Sequence, residues 1–299
     1  MRCGYRYNKL PKTTFPPEQP GDGSQNLLGP WLRYREPESH ESAALGAAAG
    51  FETGKPLSMP SPGPEISIIV PTYNEADNVA PLTRALALAL AGIRWEVIFV
   101  DDGSPDGTAQ LARSLGEEDR RVRCIQRKRR NGLSSACIEG MRRSAAPYIA
   151  VMDGDLQHDE SLLKGMLYLL KTGEADLVAG SRYAEGGGIG DWHPRRFRMS
   201  QMATRLSRWV TKVPLTDPLS GFFMIRRTAL DHCLNGISGH GGKILLDLVS
   251  SSSIPLRCRE LPYRFRSRLA GKSKLDIRTA WGFGRLLLDK LMKRRIRGA

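Results

Sequence analysis

The sequence lacks any apolar run long enough to cross a membrane. No stretch of its 299 residues approaches the roughly 18 uncharged apolar residues that a spanning helix needs. Basic residues near the N-terminus are not followed by an apolar segment, so we expect no signal peptide. If the protein acts at a membrane, we expect it to be peripheral.

Cysteine is also scarce. The five cysteines are odd in number and form no CxxC pair, so neither a disulfide framework nor a zinc site is indicated. A reducing cytosol fits this usage. A GxGxxG motif is missing after the first predicted strand, which counts against a Rossmann dehydrogenase.

Acidic residues are outnumbered by basic ones. The chain has 45 Lys and Arg against 31 Asp and Glu, a net charge of +14. This excess predicts an anionic partner, which is nucleic acid, anionic lipid or a phosphorylated substrate. Because no zinc finger, helix-turn-helix or aromatic RNA-binding motif is recognisable, we expect no nucleic-acid partner.

Composition divides the chain into three parts. Residues 1–64 are rich in Pro, Gly, Ser and charge, which is typical of a disordered tail. Between residues 65 and 275, short apolar runs alternate with helical patterns, which predicts an α/β fold with a mostly parallel sheet flanked by helices. Residues 276–299 predict a basic amphipathic helix.

Three strand ends in the central part are unusually polar. Strands are predicted at residues 66–70, 95–100, 122–126, 148–152 and 176–180. The segments PTYNE, DDGSPDGT and DGDLQH follow the first, second and fourth of them. Ligands of such sheets bind beyond the carboxyl ends of the strands, so these segments form the candidate site.

The segment DGDLQH suggests a metal site. Asp153 and Asp155 flank Gly154, and two adjacent carboxylates repel each other unless a cation or ligand compensates them. Both can turn toward one hard cation, Mg²⁺ or Mn²⁺, with the Gln157 carbonyl as a third oxygen. The alternative is that Asp155 or Asp159 caps the following helix.

The segment DDGSPDGT mixes structural and functional positions. Asp106 or Thr108 can cap the next helix, so part of the motif is structural. Asp102 is the better functional candidate. Placed after a strand, its carboxylate can accept hydrogen bonds from a nucleobase or ribose, as acidic residues do in dinucleotide folds.

Five segments together resemble one enzyme family. PTYNE, VDDGSPDGT, MDGDLQH, AGSRY and DPLSGF, in this order, look like the inverting GT-A glycosyltransferases of family 2. Within them the sequence is most similar to the dolichol-phosphate mannose synthase and polyprenyl-phosphate glycosyltransferase group. The likeness covers about residues 66–275. It implies a GT-A, Rossmann-like fold, a Mg²⁺ or Mn²⁺ cofactor, a nucleotide-sugar donor and a lipid phosphate acceptor.

The resemblance also implies roles for individual residues. It implies nucleotide-sugar binding by Pro71, Tyr73, Glu75, Val100, Asp102, Asp153, Gly154 and Lys243. It implies metal binding by Asp153, Asp155 and Gln157, and catalytic roles for Asp155, Arg182, Arg268 and Lys274. Lys243 departs from the family pattern, because its segment ends in Asp247 rather than Glu and follows an SGHGG run. A solvent-exposed lysine is the alternative there.

The implied reaction moves mannose from GDP-mannose to a dolichyl or polyprenyl phosphate with inversion. A lipid monophosphate has a second pKa of about 6, so its oxyanion needs no obligatory general base. Two alternatives remain open: UDP-glucose or another UDP-sugar as the donor, and a non-catalytic nucleotide-sugar-binding module. The protein is expected at the cytoplasmic face of a membrane.

The C-terminal segment is expected to lie in the bilayer interface. Trp281, Leu287, Leu288, Leu291 and Met292 are predicted to share an apolar helix face. Leu286 falls off this face, and Lys290 is placed with the basic residues on the other side. The alternatives are docking on an integral membrane partner and packing on the domain itself.

Overall fold

The computed structural model describes residues 62–190, 193–211, 213–239, 242–267 and 277–297. Its strands are β1 Ile66–Thr72, β2 Trp95–Asp101, β3 Val122–Gln126, β4 Tyr148–Val151, β5 Leu177–Ser181, β6 Phe223–Arg226 and β7 Cys258–Pro262. Its helices are α1 Ala76–Ala89, α2 Thr108–Glu118, α3 Leu133–Arg143, α4 Leu162–Lys171, α5 Pro194–Thr211, α6 Arg227–Leu234, α7 Ile244–Ser251 and α8 Ile277–Arg297. None of these described helices is long and apolar enough to span a bilayer. Most of the predicted tail lies outside the described residues.

The strands form one sheet in the order β3-β2-β1-β4-β6-β5-β7. All neighbouring pairs in this sheet are parallel except the two that involve β6, which runs antiparallel to β4 and β5. The prediction of a mostly parallel α/β fold is therefore confirmed. The five predicted strands are confirmed to within two residues, whereas the prediction did not include β6 and β7.

Alternating side chains of the strands build two apolar layers. In β1, Ile66, Ile68 and Val70 face one layer and Ile69 faces the other, as the two-residue period of a strand requires. Helices α1, α2 and α4 cover the first face of the sheet. Helices α3 and α5 to α8 cover the second.

The register brings the polar strand ends together. Thr72 pairs with Asp101, and Asp101 pairs with Gln126, so β1, β2 and β3 end at the same edge. Because β6 runs the other way, its first residue lies at this edge, where Phe223 pairs with Val151. The segment before β6 therefore meets the segments that follow β1, β2 and β4.

The C-terminal helix packs on the domain, which corrects the predicted face. Leu286 and Leu287 are buried in the second apolar layer, with 0% and 7% of their surface exposed. Lys290, expected on the basic side, is 5% exposed. The prediction was wrong for Leu286 and Lys290, and it was wrong to group the buried Leu287 with the exposed Trp281, Leu288 and Met292, because the partners of the buried residues lie far away in the sequence.

Helix α3 approaches the sheet so closely that one position admits only glycine. A Cβ on Gly140 would clash with Cγ2 of Ile69 and lie 3.0 Å from Cγ2 of Val100. We expect Gly140→Ala to lower the free energy of unfolding by about 1–3 kcal/mol through overpacking. The matched control is Gly284→Ala, since a Cβ there meets nothing within 4 Å. This helical change should raise stability by up to about 1 kcal/mol. Urea unfolding of both variants measures the difference.

Candidate active site

The loops after β1 and β2 are joined by hydrogen bonds. The amide of Glu75 donates to Oγ1 of Thr108 at 3.0 Å, and the amide of Ala76 donates to Oδ2 of Asp106 at 3.1 Å. Asp106 also accepts from the Thr108 amide at 3.1 Å, at the start of α2. The structural role expected for Asp106 is confirmed, and it fixes Glu75 at the sheet edge.

Asp102 holds a neighbouring loop. Its Oδ1 accepts from Nη1 of Arg127 at 2.9 Å and from the amide of Asn131 at 3.0 Å, and its Oδ2 accepts from the amide of Gly132 at 2.8 Å. The Asp102 side chain is 6% exposed. Both carboxylate oxygens thus accept hydrogen bonds from groups of the protein. Binding of a base or ribose by Asp102 stays a prediction.

The remaining residues of the predicted nucleotide site differ in exposure. Tyr73 is half-buried, and the guanidinium of Arg130 lies 4.2 Å from its ring centroid, a cation–π contact. Pro71 pairs in register with Val100. Val100 is fully buried, and its side chain packs in the apolar layer beneath α3. Its side chain therefore lies in the core, under the predicted pocket.

The predicted metal segment follows β4 and lies against β1 and the segment before β6. A Cβ on Gly154 would lie 3.3 Å from Cγ1 of Val70, so the segment packs tightly beside β1. Both carboxylate oxygens of Asp153 lie 3.1 Å from the position that a Cβ on Gly221 would take. Leu156 has φ 60°, a left-handed conformation that costs a non-glycine residue roughly 1–2 kcal/mol. A side chain at position 221 would therefore crowd the Asp153 carboxylate, and glycine avoids this contact.

Neither Asp155 nor Asp159 is the N-cap residue of α4, which is Ser161 and has no side-chain cap hydrogen bond. Asp159 Oδ1 accepts from the amide of Ser161 at 3.2 Å and from its hydroxyl at 2.7 Å, directly before α4. Asp155 precedes the helix by seven residues and accepts from the amide of Gln157 at 3.3 Å. The helix-cap alternative is therefore wrong for both aspartates.

The residues at this position fit a hard divalent cation. The side chain of Asp153 is 36% exposed and Asp155 is buried, so one carboxylate faces solvent from a supported loop. No group of three or more His, Cys, Asp and Glu residues forms a metal cluster in the described ranges. Two carboxylates with few further protein ligands suit Mg²⁺ or Mn²⁺, which keep positions for substrate oxygens.

Gln157 links this loop to the chain that follows β7. Its Nε2 donates to the carbonyl of Arg266 at 2.9 Å, and its own carbonyl accepts from the Arg266 amide at 3.0 Å. Metal ligation by Gln157 stays a prediction. Arg268 and Lys274 lie outside the described residues, but the chain that leads to them leaves from beside the metal segment.

Arg182 forms a buried ion pair. Its Nε and Nη2 donate to Oδ2 and Oδ1 of Asp217 at 2.7 and 2.9 Å, a bidentate geometry. The side chains are 10% and 0% exposed. Burial alone would lower the pKa of Arg182, but Asp217 raises it above its ordinary value. Arg182 is therefore a fixed cation, and Asp217 is held in turn by Glu260, which accepts from its amide at 3.0 Å.

Lys243 lies in the electrostatic environment of this cluster. It precedes α7 and is half-buried. Burial and the charge of Arg182 lower the pKa of Lys243, while Asp153 and Asp217 oppose the shift. Lys243 is thus related to the metal segment and the ion pair by electrostatics, and the solvent-exposed alternative does not describe a half-buried side chain.

His158 is a site residue whose role the sequence did not indicate. Its Nδ1 accepts from the amide of Asp153 at 3.1 Å, and its ring stacks on Phe222 at 5.1 Å between centroids. Burial lowers the pKa of His158 to about 4. The neutral ring therefore supports the metal segment from below. Only its place directly after DGDLQ offered a signal in the sequence.

The buried histidine predicts acid sensitivity. Unfolded His158 has a pKa near 6.5, so between pH 6.5 and about 4 the unfolded chain binds more protons, and stability falls as pH falls. We expect a loss of about 2 kcal/mol from pH 7 to pH 5. His158→Gln should remove this loss, whereas His232→Gln, at an exposed position, should keep it. Urea unfolding with a chelator present measures both, and equal pH profiles would contradict the assignment.

Several solved structures share this fold. The glucosyl-3-phosphoglycerate synthase of Mycobacterium tuberculosis, solved with Mn²⁺, UDP-glucose and phosphoglyceric acid, matches with a TM-score of 0.54 at 18% identity, over 78% of this chain and 80% of that one. The mannosyl-3-phosphoglycerate synthase of Rubrobacter xylanophilus matches with a TM-score of 0.55 at 17% identity, over 79% and 75%. These likenesses confirm the predicted GT-A, Rossmann-like fold.

Curated relatives are much closer in sequence. The dolichol-phosphate mannosyltransferase of Pyrococcus furiosus is 35% identical over 77% of this chain, which spans 64% of that relative's length. The dolichol-phosphate mannosyltransferase of Saccharomyces cerevisiae is 36% identical over 71% of this chain and 81% of the yeast protein's length. The model of glycosyl transferase family 2 matches residues 67–234. The chain is therefore a member of glycosyl transferase family 2.

Proposed function

We propose that the protein transfers mannose from GDP-mannose to dolichyl phosphate or another polyprenyl phosphate. The observation that carries the proposal is 35–36% identity to dolichol-phosphate mannosyltransferases of an archaeon and a yeast. The charges are compatible with it, since Arg182 pairs with Asp217 and the pKa of Lys243 responds to Asp153, Asp217 and Arg182. Such a set suits a substrate that carries a diphosphate.

On the donor side, Asp153 and Asp155 would hold the divalent cation. When bound, the cation supplies positive charge that stabilises the departing diphosphate. Lys243 is assigned to add a second positive charge for that group. Glu75 and Tyr73, fixed at the end of β1, are assigned to the nucleotide. Arg268 and Lys274 follow Arg266, whose carbonyl accepts a hydrogen bond from Gln157. We still assign both residues to the stabilisation of the diphosphate.

On the acceptor side, the lipid phosphate attacks without a protein base. Its oxyanion is already present at neutral pH, because the second pKa of a phosphate monoester is about 6. His158 fits this scheme, since its Nδ1 is engaged by Asp153 and its ring is buried. Arg182 is assigned to offset the repulsion between the two phosphorylated substrates. Direct attack at the anomeric carbon inverts it.

The first test is transfer by the purified protein with each candidate donor. We expect GDP-mannose, a short polyprenyl phosphate and Mg²⁺ or Mn²⁺ to give a β-linked mannolipid, detected by mass spectrometry and NMR. EDTA should abolish the reaction. Asp155→Asn should reduce the rate at least 100-fold, because half of the predicted metal pair is lost. The matched control is Asp176→Asn. Asp176 precedes β5 at the opposite edge of the sheet, and its substitution removes an ion pair with Arg257. The transfer rate of this variant should stay near that of the wild type.

The other outcomes of this assay have definite meanings. Product from UDP-glucose alone would replace mannose by glucose and keep the reaction class. An α-linked product would overturn the inverting mechanism. Nucleotide binding without turnover, in protein with an intact fold, would support a non-catalytic module instead.

We also propose that helices α5 and α8 bind an anionic membrane surface. Helix α5 has five arginines and no acidic residue. Its exposed apolar side chains are Met199, Met202, Leu206 and Trp209, at spacings of three and four, and those of the adjoining α8 are Trp281, Leu288 and Met292. We call these seven side chains the lipid face. An apolar stripe flanked by arginines suits anionic lipid, and it supports a peripheral protein on the cytoplasmic leaflet.

Vesicle binding tests the lipid face. We expect Met202→Glu with Trp209→Glu to weaken sedimentation with phosphatidylglycerol vesicles at least tenfold. The control is Leu88→Glu, since Leu88 is 80% exposed on α1, which covers the other face of the sheet. Equal binding by the two variants would contradict the proposal. Absence of binding in the wild type would favour an integral membrane protein as the partner.

A further inference from the structure

A buried ion pair joins the C-terminal helix to the segment that carries Lys243. Nζ of Lys290 in α8 lies 2.5 Å from Oδ1 of Asp247 in α7, and the two side chains are 4% and 0% exposed. Nζ also donates to Oγ of Ser251 at 2.5 Å. Removing two charges from water offsets much of their attraction, so stability alone does not explain the pair.

The second oxygen of Asp247 organises a loop. Oδ2 accepts from the amide of Ser238 at 2.9 Å, from its hydroxyl at 2.7 Å and from the amide of Gly239 at 2.9 Å. Gly239 has φ 70°, which favours glycine there. One carboxylate thus contacts the C-terminal helix through one oxygen and the start of the glycine-rich loop through the other.

The same loop ends at the candidate active site. Lys243 is the residue before α7, and its carbonyl accepts from the amide of Asp247 at 3.1 Å. Lys243 interacts electrostatically with Asp153, Asp217 and Arg182. Asp247 therefore holds Ser238 and Gly239 at the start of the loop through its carboxylate. Its amide holds Lys243 at the end of the loop, within the first turn of α7.

We propose that the Lys290–Asp247 ion pair is a positioning element for the active site. Docking of α8 neutralises Asp247, Asp247 holds Ser238 and Gly239 through its carboxylate, and its amide holds the carbonyl of Lys243 at the start of α7. The proposal rests on the proposed function, in which Lys243 meets the donor diphosphate. Order at the site consequently depends on a helix outside the residues matched by the family model.

Hydrogen exchange of the substrate-free protein tests the structural step. In Lys290→Met, we expect the amides of residues 236–243 to exchange about tenfold faster, because a buried Asp247 carboxylate without its counter-ion is unstable and moves toward water, which weakens its hydrogen bonds with Ser238 and Gly239. Amides of β1, β2 and β4 should not change. The matched control is Arg285→Met, at an exposed position of α8. Equal exchange of residues 236–243 in the two variants would overturn the proposal.

A double-mutant cycle tests the link to catalysis. We expect Lys290→Met to lower kcat about tenfold and to leave the KM for the polyprenyl phosphate within twofold. In a Lys243→Ala background, Lys290→Met should cause no further loss, since the side chain that it positions is absent. A purely structural role predicts losses that multiply, and that outcome would contradict the proposal.

A second variant guards against misfolding of Lys290→Met. Asp247→Leu with Lys290→Met leaves neither charge buried, so its Tm should lie closer to that of the wild type than the Tm of Lys290→Met does. We still expect faster exchange at residues 236–243 and the same loss of kcat, because the loop amides have lost their acceptor. Wild-type exchange and rate in this variant would overturn the proposal. If the wild type transfers no sugar, the proposed function fails, while the exchange result still decides whether the ion pair orders the loop.

Discussion

Aspartates gather at the carboxyl edge of this sheet, and their mutual repulsion must be offset for the edge to keep its shape. The fold compensates most of them internally. Asp101 and Asp106 accept from hydroxyl and amide groups of their own motif, while Asp102 and Asp217 pair with Arg127 and Arg182. Asp153 and Asp155 lie among these compensated neighbours. The proposed cation would thus bind to a frame whose other aspartates are already paired or hydrogen-bonded.

The sequence predicted the parts of this frame that local patterns determine. Strands such as β1 are visible because apolar residues recur within a few positions. Strand β6 was missed because its antiparallel place between β4 and β5 is set by partners elsewhere in the chain. The Arg182–Asp217 pair spans 35 residues, so the motif AGSRY alone did not reveal that its arginine is anchored.

Lys290 and Asp102 show what the charge pattern alone leaves undetermined. Lys290 was placed on a solvent-facing basic side, since the sequence does not distinguish a hydrated ammonium from one paired with a buried aspartate. Asp102 was matched to a base or ribose, yet in the structure it binds the amides of Asn131 and Gly132. Its effect on a substrate would then act through the loop that places Arg130 over Tyr73.

Helix α8 has two opposite sides, and this separation limits how the proposed coupling can be controlled. Trp281, Leu288 and Met292 face outward, whereas Leu286 and Leu287 are buried in the domain. Burial of the two leucines contributes about 3–6 kcal/mol to docking, and the entropy lost by the ordered helix opposes it. Lipid at the proposed lipid face would contact the outward side and would not compete with this packing. In the proposed coupling, release of Lys243 therefore requires a partner that binds the buried side of α8.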